Sequence, residues 1–333
     1  MTNRERVIAA LRHEQPDRVP YQIGFTQRAR AAMAEAYGES VFALIDNCIA
    51  GLAAKPGPLA GWIDENTWQD QFGVRWDRSV DRDIGIVCNR VLPDRDLTGL
   101  TFPDPRAPAR WEGFADAVAV AEGRCVVFEI GFSLFERAWT LRGMEQLFID
   151  MTEAPEFVDE LLDMICEWNV AHIEEAGRYD IDLFHFGDDW GSQRGLLMGP
   201  RLWERFLKPR LARQYAAAKA TGKLVSIHSC GRVQELFPQL IEIGVDCFNP
   251  FQPEVMDVFE MKRLHGDRLA FWGGVSTQKL LPHGTPEEVR AQVRRLLREV
   301  GEGGGYICAP AHSIPGDAKP ENIMAMIEVL NDQ

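Results

Sequence analysis

From Cys125 onward the chain repeats one pattern: a short apolar strand, a loop, then a helix. This alternation constrains the fold more than any other feature. Strands are predicted at 125–130, 182–186, 224–227, 246–248, 269–272 and 306–308. Helices are predicted near 111–121, 134–149, 154–177, 200–221, 232–242, 254–263, 286–301 and 320–331. Strands alternating with helices across short loops pair in parallel and carry the helices outside the sheet. Upstream, Thr2 and Glu5 have the spacing of a capping box on an opening helix. A seventh strand follows at 19–25, then helices at 26–37 and 40–54. Residues 61–94, with Trp68, Phe72, Trp76 and an alternating run at 84–91, form an excursion holding a hairpin or small sheet. No eighth strand is evident, and the 61–110 excursion is the place left for it. The expected architecture is one (β/α)8 TIM barrel, a single domain over 1–333 with an N-terminal helical and hairpin excursion. An open doubly wound sheet is the alternative.

Composition narrows the partners. At 333 residues and 46% hydrophobic, the chain has ample material for a large core. A net charge of −14 excludes a nucleic-acid backbone as ligand, which needs a concentrated basic surface. It leaves room for a small anion held by a few arginines. No apolar run is long enough to span a membrane. The first dozen residues read as an amphipathic helix and not a signal peptide, so a cytoplasmic protein is expected. Seven cysteines without paired spacing read mostly as small buried hydrophobes.

Polar residues gather where strands end, at Glu129, His185, Asp188, Asp189, His228, Cys230, Asn249, Gln252, Cys308 and His312. In a barrel those ends open on one face, where catalytic groups collect. In Ile227-His-Ser-Cys-Gly231, residues two apart in extended chain point to one side, so His228 and Cys230 can share a ligand. Cys308, at another strand end, is the candidate third ligand. One imidazole and two thiolates suit zinc and leave a position for substrate. The competing reading is two unrelated core cysteines and a hydrogen-bonded histidine.

Several stretches together carry a family resemblance. They are Arg4 to Pro20, Trp68 to Trp76, Phe186-Gly-Asp-Asp-Trp-Gly-Ser-Gln193, Ile227-His-Ser-Cys-Gly231, Phe271-Trp-Gly-Gly-Val-Ser-Thr-Gln278, Ala309-Pro-Ala-His-Ser-Ile-Pro315 and Pro320-Glu-Asn-Ile323. Over nearly its whole length the sequence resembles the uroporphyrinogen decarboxylase superfamily, whose fold is a TIM barrel. True decarboxylases of that group carry an Arg-Gln-Ala-Gly-Arg signature after the first strand. Here Ile23-Gly-Phe-Thr-Gln-Arg-Ala-Arg30 keeps two arginines without it. The branch similar to methylcobalamin:coenzyme M methyltransferases has a His-x-Cys and a later Cys as zinc ligands, which implies those roles for His228, Cys230 and Cys308. Where that branch can place an acidic fourth ligand, this chain has Asn249 and Gln252. Gln252 is assigned as the fourth ligand and Asn249 as a substrate contact.

The remaining assignments follow from position. Asp188 and Asp189 orient substrate or take a proton, or else make turns and cap a helix. His312 is a proton-relay or substrate group at the mouth, or a loop-fixing residue. His185 reads as a satisfied core histidine. Glu129 contacts substrate or is a buried paired acid. Phe132 and Trp190, with Phe135 and Trp139, line a cavity or belong to the core. The resemblance implies a zinc-dependent methyltransferase moving a methyl group from a methylcorrinoid to a thiol or tetrahydrofolate. Its expected partners are a small-molecule methyl acceptor, a corrinoid protein and, optionally, a second copy in a homodimer. A metal-free lyase acting on a polycarboxylate, with Arg28, Arg30 and Arg137 as carboxylate contacts, and a non-catalytic tetrapyrrole binder are the alternatives.

Overall fold

In the computed structural model, which describes residues 1–121 and 123–333, seven parallel strands form one curled sheet in chain order. They are β1 (Ile49–Leu52), β2 (Cys125–Ile130), β3 (Leu183–Gly187), β4 (Leu224–His228), β5 (Cys247–Phe251), β6 (Ala270–Val275) and β7 (Tyr306–Pro310). The segment at 19–25 closes the ring. Gln22 N–H donates to the Cys308 carbonyl (3.0 Å), Cys308 N–H to the Pro20 carbonyl (2.9 Å), and Cys48 N–H to the Tyr21 carbonyl (3.0 Å). Tyr21 therefore bridges β7 to the chain entering β1, and the architecture is the expected TIM barrel.

Two expectations need correction. Residues 40–54 are not a helix: a 3-10 turn at Glu39–Leu44 gives way to β1, which supplies the stave expected from the later excursion. Asp46 and Asn47 break the helix because their side chains serve other segments. Asp46 pairs with Arg18, and Asn47 exchanges hydrogen bonds with the Ile23 backbone (2.8 and 2.9 Å). The helix expected at 134–149 is two, Phe135–Arg142 and Met144–Glu153, split at Gly143, whose φ of 91° a side-chain-bearing residue rarely adopts. The excursion forms a four-stranded antiparallel sheet from Gly61–Trp62, Thr67–Gln69, Arg75–Asp77 and Ile86–Val87.

Strand alternation sorts side chains into two layers. Cys125, Val127, Leu183, Cys247, Ala270, Trp272, Ile307 and Ala309 pack together inside the barrel, with Val7 and Leu11 of the first helix, Asn3–Leu11. That helix begins with the Thr2/Glu5 capping box. The other parity, including Phe128, Phe184, Ile227, Phe248, Phe271, Tyr306 and Cys308, packs outward among the helices. Glu129, His185, His228 and Asn249 continue the inward parity toward the C-terminal mouth.

Candidate metal centre

His228 ends β4, and Cys230 lies two residues on, in a loop turned by Gly231 at φ 88°. A Cβ on Gly231 would meet the Gly191 backbone at 2.6 Å, so only glycine lets the loop pass there. The Cys230 Sγ lies 3.3 Å from His228 Nε2. His312, exposed on the loop after β7, completes a cluster whose donor atoms all lie within 4.8 Å of one another.

The partners of His228 define its tautomer. It sits opposite Asn249 in the β4–β5 register, with Nδ1 2.5 Å from Asn249 Oδ1. The Asn249 amide cannot be flipped, because its Nδ2 donates to the Trp272 carbonyl (2.9 Å). Nδ1 of His228 is thus the donor, and the Nε2 lone pair faces Cys230 and His312. Desolvation and the neighbouring His228 lower the pKa of His312, which favours the neutral ring with a free lone pair.

Carboxylates surround the cluster. Asp189 Oδ1 accepts from Cys230 N–H (2.8 Å) and lies 3.7 Å from His228 Nε2. Burial, then the nearby Asp189 and Glu136, push the Cys230 thiol well above its ordinary value. A thiol in that setting ionises only beside a compensating cation. The donor set of two imidazoles and one thiol suits zinc, whose tetrahedral edges at ordinary bond lengths are about 3.5 Å. His228, Cys230 and His312 could therefore hold such an ion.

Cys308 does not join them. It lies on the outward parity of β7 between Ile307 and Ala309, which face the barrel interior, and packs in the outer core. Burial raises its thiol to about 12, partly offset by a hydrogen bond with Tyr306. The third donor comes instead from His312, four residues later, where the chain has turned over the rim.

Asp188 is likewise a structural group. It is fully buried and accepts from the backbone N–H groups of Leu134 (3.3 Å), Phe135 (3.1 Å) and Glu136 (2.8 Å) and from Trp190 Nε1 (2.7 Å). It thereby anchors the start of the Phe135–Arg142 helix to the loop after β3. Burial pushes its carboxyl up to about 6 against those donors. Trp190 is fully buried and packs against Trp203 (ring centroids 5.5 Å apart). Asn249 has both amide ends engaged, on His228 and on the Trp272 carbonyl. Phe135 is core. His185 is half-buried, with Nδ1 3.0 Å from Ser226 Oγ, and desolvation followed by His228 lowers its pKa to about 3.

Gln252 accepts from Gly231 N–H (3.3 Å) and lines a 400 Å³ cavity with Cys230, Thr277, Gln278, His312 and Asp317. Glu129 and Phe132 line a second, smaller cavity across the mouth. Desolvation raises the Glu129 carboxyl, and a Cβ on Gly51 would overlap its Oε1. Sequence reasoning missed Glu136. Burial, with Asp189 and Asp188 beside it, raises its carboxyl well above the ordinary range. Its position in a helix's first turn is where exposed acids are common, so the sequence carries no signal of this.

The molecule is thus a TIM barrel with an imidazole–thiol donor cluster at its C-terminal mouth. A family profile, uroporphyrinogen decarboxylase (URO-D), matches residues 90–333, and the chain belongs to that enzyme family. Its relatives include both chemistries. A Methylococcus capsulatus protein named uroporphyrinogen decarboxylase is 24% identical over 258 residues, covering 73% of this chain and 70% of that protein. A methylated-thiol–coenzyme M methyltransferase of Methanosarcina mazei is 22% identical over 350 residues, covering 100% of this chain and 90% of that protein. A methylcobamide:CoM methyltransferase of Methanosarcina barkeri is 24% identical over 174 residues, 52% of this chain and 48% of that protein. The solved structure of a methyltransferase from Methanosarcina mazei superimposes with a TM-score of 0.76 at 18% identity, covering 100% of this chain and 99% of that one, a likeness of fold. No helix among the described residues is long and apolar enough to cross a membrane.

Proposed function

We propose that this chain is a zinc-dependent methyltransferase whose metal is held by His228, Cys230 and His312. The observation that carries the reading is the convergence of those three donors within 4.8 Å at the barrel mouth. The methyltransferase names among its relatives support it. A zinc ion held by these residues would lower the pKa of an incoming thiol and so supply a nucleophile at neutral pH.

The chain's own residues supply the rest. Asn249 holds the His228 ring in one tautomer and orientation, and Asp189 ties down the Cys230 backbone. In this reading the Asp189 carboxylate, 3.7 Å from His228 Nε2, takes the acceptor's proton as the thiol binds. Gln252 and Thr277 shape the 400 Å³ cavity in which a small acceptor lies beside Cys230. The acceptor sulfur attacks the methyl carbon of a methylated corrinoid presented by a separate protein, and the carbon–cobalt bond breaks with its electron pair left on cobalt. A tetrahydrofolate acceptor, which has no thiol, would change the role of the metal. The chain works as one unit over 1–333, in the cytoplasm.

The test follows methylcobalamin absorbance in the presence of the protein and a panel of small thiols. Thiol-dependent demethylation by the wild-type protein, abolished in Cys230→Ala, is expected. Demethylation that persists in Cys230→Ala would overturn the reading.

A further inference from the structure

Beside Cys230 and His312, the 400 Å³ cavity is lined by the amides of Gln193, Gln252 and Gln278, the hydroxyls of Thr277 and Ser313, and the carboxylate of Asp317. Among the described residues no arginine or lysine lines it. Cations on neighbouring segments serve other surfaces. Lys279 lines a separate cavity on the flank of the barrel, and the Arg28 stem packs on Gly316, where an added Cβ would meet Arg28 Cβ at 2.6 Å. Asp317 is exposed in the turn between β7 and the Pro320–Asn331 helix, and it forms no ion pair among the described residues. At the inner end Asp189, 3.7 Å from His228 Nε2, brings another carboxylate near the donors.

The methyl-transfer reading calls for an acceptor whose sulfur ionises beside Cys230, which places one negative charge at the inner end of the cavity. A second anionic group on the same small molecule would leave water for a space that offers a carboxylate and no cation. An ammonium group would meet Asp317 instead, and the amide and hydroxyl oxygens of the lining can accept its remaining N–H donors. Resting on that reading, we infer that the acceptor is a small aminothiol. Its sulfur lies beside Cys230 and its ammonium against Asp317, and the cavity discriminates against thiols that carry a carboxylate or a sulfonate. Asp317 is the residue that sets this specificity. It acts on the far end of the acceptor and not on the reacting sulfur.

Methylcobalamin demethylation by the zinc-loaded full chain at pH 7 is compared for four thiols of similar size: cysteamine, mercaptoethanol, mercaptopropionate and mercaptoethanesulfonate. After subtraction of each spontaneous rate, kcat/KM for cysteamine should exceed that for either anion by about tenfold or more, with mercaptoethanol between them. Intrinsic thiol reactivity is the same for every variant, so ratios between variants isolate the cavity. Asp317→Asn should bring cysteamine to within about twofold of mercaptoethanol, and Asp317→Lys should invert the order of amine and anions. A second readout needs neither metal nor turnover: the S-methyl derivatives of the same thiols are titrated into chelated protein by ligand-observed NMR. The amine should bind best, and Asp317→Asn should remove its advantage. That binding order without any demethylation would put the failure on the methyl-transfer reading and leave the cavity's selectivity standing. An anion used or bound as well as the amine, or an amine-to-hydroxyl ratio that both variants leave unchanged, would overturn the proposal.

Discussion

His228 and Asn249 face each other across neighbouring parallel strands, and Asn249 Oδ1 sits 2.5 Å from His228 Nδ1. The residue standing near an expected fourth ligand is instead the one that aims the first. Asn249→Leu removes the acceptor and frees the ring to rotate. Zinc affinity, measured by competition with a chromogenic chelator, should fall about 10–100-fold, while Asn249→Asp should retain it.

Asp188 organises the loop–helix junction, so its substitution should register in stability. Asp188→Asn turns an amide N–H toward a cluster of donors and removes the charge that three backbone N–H groups and Trp190 Nε1 share. Urea denaturation should show a loss of about 2–4 kcal/mol. The zinc content of the folded variant should be unchanged.

Gly231 is required by two independent constraints, its φ of 88° and the 2.6 Å approach of the Gly191 backbone to its Cβ position. Gly231→Ala should move the Cys230 loop. The expected result is a cost of about 1–3 kcal/mol and weakened metal binding, both read from thermal melts with and without zinc.

Stability should also depend on pH through His172, which is 5% exposed and stacks on Trp168 (4.8 Å). Its folded pKa of about 3 lies below the ordinary 6.5, so the unfolded chain binds a proton that the folded chain refuses. The stability is fully present above pH 6.5 and is lost as pH falls toward 3. By pH 4.5 the loss is roughly 3 kcal/mol. Denaturation midpoints at pH 7 and 4.5 check this, and His172→Gln should flatten the difference.

The legible parts of this molecule were those written in local periodicity. The β/α alternation gives parallel strands with helices outside them, the family resemblance supplies the closure into a barrel, and the His-x-Cys spacing places His228 and Cys230 on one side of an extended segment. Cys308 misled because Tyr306-Ile-Cys-Ala-Pro310 is apolar on both parities, so nothing local tells the barrel face from the helix face. Asp188 and Asp189 are chemically identical neighbours, and only the strand's exit direction sends one to the helix start and the other to the donors. β1 has only four residues and follows two turn-formers, too short a run to outweigh the helical composition before it. Asn249 as the partner of His228 depends on the pairing register between two strands. Arg110, in the short Pro108–Trp111 turn, looks like an ordinary surface arginine until the excursion and the Pro155–Ala176 helix cover it.

The central claim is that the metal centre is His228, Cys230 and His312, with Cys308 outside it. Elemental analysis of three proteins expressed with ample zinc tests it most directly. Wild type and Cys308→Ser should each carry about one zinc per chain, and His312→Ala should carry less than about a tenth. Zinc lost from Cys308→Ser but kept by His312→Ala, or a wild-type protein without zinc, would contradict the account.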